Sequence, residues 1–206
     1  GYVKYGVDFL KSIRGFFSFC IYDTHKEILT LSRDFYGKKP LYIYLFDNEF
    51  IFGSELKAVK GAISQPLNVD YDSLSHYLWK GYYANGDTAF KEIKSLQPGE
   101  TITVSLEPEL ISKSIDYSQT KILISREYPR RDIGLVEQSL KNSVSSRLVS
   151  DVPISFLLSG GVDSSLISSI AAELDQKKID THYLGFEDKK DHFEDLAEYV
   201  SAEINS

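Results

Sequence analysis

Residues 152–174 read Val-Pro-Ile-Ser-Phe-Leu-Leu-Ser-Gly-Gly-Val-Asp-Ser-Ser-Leu-Ile-Ser-Ser-Ile-Ala-Ala-Glu-Leu. Val152 to Leu158 is a nearly continuous apolar run, the pattern of a parallel strand covered on both faces, and Ser164 to Leu174 continues as a helix. Between them lies Ser159-Gly160-Gly161-Val162-Asp163-Ser164-Ser165. Two glycines let backbone N–H groups approach a ligand closely, and the start of a helix adds positive potential, so the segment suits phosphate. Ser159, Ser164 and Ser165 add hydroxyl donors. Asp163 would repel phosphate unless a divalent cation lay between them, which points to Mg2+. The segment lacks the Gly-Lys-Ser/Thr of a Walker loop and the third glycine of a dinucleotide fingerprint. The plain alternative is a glycine turn with Asp and Ser capping a helix.

Upstream, Ile133, Val136, Leu140, Val144 and Leu148 recur at helical spacing behind Asp132, a residue suited to capping. Downstream, Thr181 to Phe186 is expected as a strand, followed by an acidic helical stretch to Ile204. The second half is therefore helix-strand-helix-strand-helix, the pattern of a parallel α/β sheet. The first half differs. Short strands are expected over Gly15–Asp23, Glu27–Ser32, Pro40–Phe46 and Glu49–Gly53, the last two joined at Asp47-Asn48. Helices are expected from Ser54 to Gly61 and from Asp72 to Trp79. The stretch Gly81 to Thr120 carries the turn signals Asn85-Gly86 and Pro98-Gly99 and the strand-like run Thr101–Leu106. These patterns give an α+β domain over 1–118 and an α/β domain over 119–206.

Composition bounds the function. At 206 residues with 42% hydrophobic and 26% charged residues, the chain is neither disordered nor fibrous. A net charge of -7 argues against nucleic acid as a partner, although a nucleotide can still be held by backbone amides. The single cysteine cannot form an internal disulfide, and no 18-residue apolar run suggests a membrane span, so the cytoplasm is the expected compartment. His25, His76, His182 and His192 share no metal-ligand spacing and suggest no Ser-His-Asp set. Met is absent even at position 1, and the chain is expected to be an internal piece of a longer protein.

Arg147-Leu148-Val149-Ser150-Asp151-Val152-Pro153, followed by the apolar run and Ser159–Ser165, closely resembles the entry to the synthetase domain of glutamine-hydrolysing asparagine synthetases. Three upstream segments, Arg33–Tyr42, Phe52–Ala58 and Ile93–Gly99, resemble parts of the same family's glutaminase domain. The resemblance implies that 1–118 is the C-terminal part of an Ntn-hydrolase αββα sandwich of the class II glutamine amidotransferase kind. It implies that 119–206 begins a Rossmann-like parallel α/β ATP-pyrophosphatase domain. Ser159, Gly160, Gly161, Val162, Asp163, Ser164 and Ser165 would then hold the pyrophosphate end of ATP, with Asp163 contacting Mg2+ and Leu158 and Leu184 flanking adenine. For both leucines ordinary core packing is an equally simple reading. Arg147 and Asp151 either support the site or pair on the surface.

By the same resemblance, the complete enzyme would adenylate the aspartate side chain to β-aspartyl-AMP, and ammonia from glutamine would attack that intermediate. Glutamine, aspartate and ATP would be its substrates, and a homodimer is compatible. Alternatives are a relative that amidates another carboxylate, in polysaccharide or secondary-metabolite synthesis, and a non-catalytic remnant. Family enzymes begin with a cysteine activated by its own α-amine. Residue 1 here is Gly, and Cys20 lies inside an apolar strand, so Cys20 is expected in the core and this chain is assigned no catalytic nucleophile. Arg33, Asp34 and Glu55 are expected either in an ion-pair network or along an ammonia channel.

Overall fold

A short helix (α1, Tyr2–Tyr5) and a 3-10 turn (Gly6–Ser12) lead into two runs that pair as an antiparallel hairpin, Ser18–Asp23 (β1) and Ile28–Arg33 (β2). The computed structural model describes residues 1–46, 49–106, 132–175, 179–185 and 192–206, together with the backbone of 111–116. The chain divides into two units, Gly1–Ile124 and Ser125–Ser206. The boundary expected at 118/119 falls within 117–131 and the expected turn at 47–48, both outside the described residues.

In the first unit, strands Tyr42–Phe46 (β3) and Glu49–Gly53 (β4) form a second antiparallel hairpin, joined on its other edge by Ile93–Ser95 (β5). Glu100–Ser105 (β6) pairs with β2 and with Ile111–Asp116 (β7), giving a four-stranded sheet in the order β1-β2-β6-β7. Because side chains alternate across a strand, the register selects one face: Cys20 lies opposite Leu31, Leu31 opposite Ile102, and Leu29 opposite Val104. That face forms a core with Leu41 and Leu96, and Ile43 and Phe50 of the three-stranded sheet pack on it, so the two sheets meet around one apolar layer. The other face of β3 carries Tyr44, buried with Ile93 and with Val59 of the helix Leu56–Ala62 (α2). A further helix, Tyr71–Lys80 (α3), starts at Asp70, whose carboxylate accepts the Ser73 amide, and stops at Gly81, which takes the left-handed conformation at φ 79°.

The opposite face of β2 and β6 is polar yet buried. Ser32 and Thr101 stand directly across from one another, and their hydroxyl oxygens are 2.7 Å apart. Pairing the two hydroxyls satisfies groups that would otherwise cost free energy away from water.

In the second unit, Ile133–Ser145 (α4), Ser155–Leu157 (β8), Val162–Asp175 (α5), Asp180–His182 (β9) and His192–Glu203 (α6) follow in order. Strands β8 and β9 pair in parallel across α5, which is a βαβ unit. Asp132 caps α4 as expected, accepting the Leu135 amide at 3.2 Å. Val144, Ile170, Ala171 and Ile179 form the core, with Leu140, Leu148, Phe156 and Ile204 against it. The apolar stripe of α4 is only partly used, since Ile133 and Val136 stay exposed. Covering on both faces, expected for the apolar strand, is also not met among the described residues. Phe156 packs against the helices, whereas Leu157 is 79% exposed on the other face. The strand is confined to Ser155–Leu157, and the expected second strand ends at His182 with Phe186 outside the described residues.

Candidate functional site

The segment leaving β8 turns at Gly160, whose φ of +73° lies in the left-handed region that a side chain disfavours. A β-carbon there would also collide with the Phe193 carbonyl and sit 3.1 Å from the Leu196 β-carbon. Gly160 is therefore required twice, by backbone conformation and by the close seat of α6. The chain then enters α5 at Val162, with Asp163 exposed in the first turn, so the peptide N–H groups of the loop and the helix start share one small region.

Ser164 is the hub of this loop. Its hydroxyl lies 3.1 Å from the Gly161 carbonyl, 3.3 Å from the Ser159 amide and 3.0 Å from the Ser159 hydroxyl. A hydroxyl has one proton and two lone pairs, so donating to Gly161 leaves it to accept both Ser159 groups. The Gly161 carbonyl also accepts the Ser165 amide at 3.1 Å, starting the helical ladder. The Ser165 hydroxyl makes no hydrogen bond among the described residues. The segment is thus held by its own hydrogen bonds, and it carries hydroxyl, amide and carboxylate groups of the kinds that bind phosphate and a divalent cation.

The structure separates the two leucines. Leu158, at 2% exposure, donates its amide to His182 and lines a cavity of about 320 Å³ with Thr181, Tyr183, Glu194, Ala197, Glu198 and Ser201. Leu184 is 81% exposed and takes no part in that cavity. The α6 residues that back the loop, Phe193, Leu196 and Ala197, had no motif to announce them. Arg147 folds back onto the end of α4, donating to the Ser143 carbonyl at 2.8 Å.

In the first unit, Arg33 and Asp34 take part in no ion pair among the described residues, in place of the network that was one of the two expectations. The Asp34 carboxylate, wholly buried, accepts the amides of Tyr36, Lys38 and Lys39. The Arg33 guanidinium donates to the carbonyls of Gly37, Lys39 and Leu96. Backbone groups, together with the Ser95 hydroxyl for Arg33, take up both charges and hold residues 34–39 as a turn in which a β-carbon at Gly37 would press on Pro98. Glu55 occupies the cap position of α2, and its side chain makes no capping hydrogen bond. Cys20 is half-buried beside the core, and burial pushes its thiol pKa up, the reverse of what activates a nucleophile.

Residues 1–113 match the family model described as a glutamine amidotransferase domain, and residues 135–206 match the one described as asparagine synthase. The chain belongs to the glutamine-hydrolysing asparagine synthetase family. A putative asparagine synthetase of Methanocaldococcus jannaschii is 33% identical over 92% of this chain and 37% of its own length. Asparagine synthetase 1 of Bacillus subtilis is 28% identical over 98% of this chain and 32% of its own. An amidase of Penicillium rubens is 29% identical over 84% of this chain and 25% of its own. The chain thus spans about a third of the length of the curated synthetases it matches. Among the described residues of this synthetase-family chain, no group of three His, Cys, Asp or Glu side chains is placed to hold a metal, and no helix is long and apolar enough to cross a membrane.

Proposed function

We propose that this chain is the junction region of a glutamine-dependent carbon–nitrogen ligase, and that Ser159–Ser165 holds the pyrophosphate end of ATP. The observation that carries the reading is the loop's geometry: Gly160 in the left-handed conformation, directly before a helix start, in a strand-loop-helix unit of a family member. In this reading the first unit is the C-terminal part of an Ntn-hydrolase sandwich and the second begins a Rossmann-like domain. Two facing sheets with α2 outside one of them, and a βαβ unit, support it.

The residues present suit Mg2+, because this ion takes one or two protein carboxylates and completes its shell with phosphate oxygens and water. Asp163, exposed in the first turn of α5, would supply that carboxylate. When bound, the ion offsets charge on the phosphates. The loop's own part is to bind and orient the phosphates through backbone N–H groups. The complete enzyme would convert aspartate to asparagine through β-aspartyl-AMP, using ammonia from glutamine. The amidase relative keeps a second reading open, in which another carboxylate is the acceptor.

Calorimetric titration of the chain with ATP tests the site. Saturable binding that needs Mg2+ and falls at least tenfold in Asp163→Ala supports it. Absence of binding at millimolar ATP, or binding indifferent to both Mg2+ and Asp163, overturns it.

A further inference from the structure

Three serines line the proposed ATP loop, and they are not equivalent. The single proton of Ser164 is directed at the Gly161 carbonyl, and its lone pairs receive the Ser159 amide and hydroxyl. The side chain thereby ties Ser159, before the glycines, and the Gly161 carbonyl to the first turn of α5, across the two positions with least intrinsic preference for one conformation. Ser165, one position on, has its hydroxyl uncommitted among the described residues.

We propose that Ser164 is a positioning residue. It sets the shape of the Ser159–Gly161 backbone before ATP arrives, so that the Gly160 and Gly161 amides converge on phosphate, while contact with phosphate falls to those amides and to Ser165. This rests on the ATP reading above and assigns roles within that site. Pre-forming the loop matters because two adjacent glycines would otherwise lose conformational freedom on binding and weaken affinity.

The test begins without ligand. In Ser164→Ala, hydrogen exchange at the Ser159 amide should accelerate at least tenfold, while exchange in the α5 interior around Ile170 stays unchanged. A residue that acted only by touching phosphate would leave the ligand-free exchange unmoved, and that result overturns the proposal. With Mg2+ and ATP, Ser164→Ala should bind about tenfold more weakly, and Ser164→Thr, which keeps the hydroxyl, should restore affinity to within about threefold. The double variant Ser159→Ala/Ser164→Ala should bind no more weakly than Ser164→Ala alone, because the two hydroxyls form one unit. Losses that simply add would mean separate contacts to phosphate and would also overturn it. If the unaltered chain binds no ATP, the ATP reading fails, while the exchange experiment still decides whether Ser164 organises the loop.

Discussion

The Asp34 carboxylate, fully shielded from solvent, accepts the Lys39 amide at 2.9 Å, five residues along the chain. Its other oxygen takes the amides of Tyr36 and Lys38, and the Asp34 carbonyl accepts from Gly37 and Gly99. The turn is therefore wound around one buried side chain. Asp34→Ala should destabilise the first unit by about 3 kcal/mol, since three amides lose a charged acceptor. Asp34→Asn, which keeps one carbonyl oxygen, should cost less. Urea denaturation followed by tyrosine fluorescence would measure both, and equal costs would argue against the turn's dependence on charge.

Gly160 provides a sharper case. Gly160→Ala should cost about 3 kcal/mol in the second unit, combining an unfavourable positive φ with a clash against the Phe193 carbonyl. Gly161→Ala should be milder, because the nearest atom to its β-carbon would be the Ser159 hydroxyl at 3.5 Å. Thermal unfolding of the two variants would rank them, and the reverse order would refute the seating of α6 on Gly160.

Leu158 and Leu184 allow packing to be separated from ligand contact. Leu158→Ala should lower stability by about 3 kcal/mol through loss of a buried side chain. Leu184→Ala, on an exposed residue, should leave stability within about 0.5 kcal/mol. A drop in ATP affinity for Leu184→Ala without a stability change would mark it as a nucleotide contact. Unchanged affinity would remove it from the site.

Asp23 predicts a response to acid. Burial pushes its pKa up, but hydrogen bonds from the Lys26 and His25 amides and from the Tyr2 hydroxyl outweigh this and hold it below the ordinary carboxylate value. A depressed folded-state pKa contributes stability that is present above the unfolded value and is lost as pH falls through the folded one. The first unit should therefore lose stability below about pH 4, and Asp23→Asn should flatten that limb. Melting curves from pH 2 to 6 would show it, and identical limbs for the two proteins would exclude Asp23 as a contributor.

What the sequence disclosed follows from how local each constraint is. The loop glycines, the capping Asp132 and the strand-loop-helix order depend on neighbours within a few residues, so composition and spacing carry them. The roles of Arg33 and Asp34 were not legible, because Arg33 reaches the Leu96 carbonyl 63 residues away. A charged pair beside apolar strands reads as a surface network until the fold brings backbone to it. The stripe on α4 misled for a related reason: Ile133 and Val136 share the period of Val144, but no described element of the unit covers them. The place of Ser164 where the strand-loop segment passes into a helix is legible from the sequence, yet only hydrogen-bond geometry distinguishes a residue that shapes a site from one that touches ligand.

The facing hydroxyls of Ser32 and Thr101 carry a consequence for biosynthesis. They join β2 to β6 across 69 residues, and the four-stranded sheet β1-β2-β6-β7 cannot be completed until those two strands pair. While the ribosome is still making β3 to β5, β2 has only one partner and its buried edge is open to other chains. Closing so long a loop is also entropically slow. The first unit should therefore gain protease resistance in one late step, after Ser105 has left the exit tunnel, and the nascent chain before that point is where chaperones would be needed most.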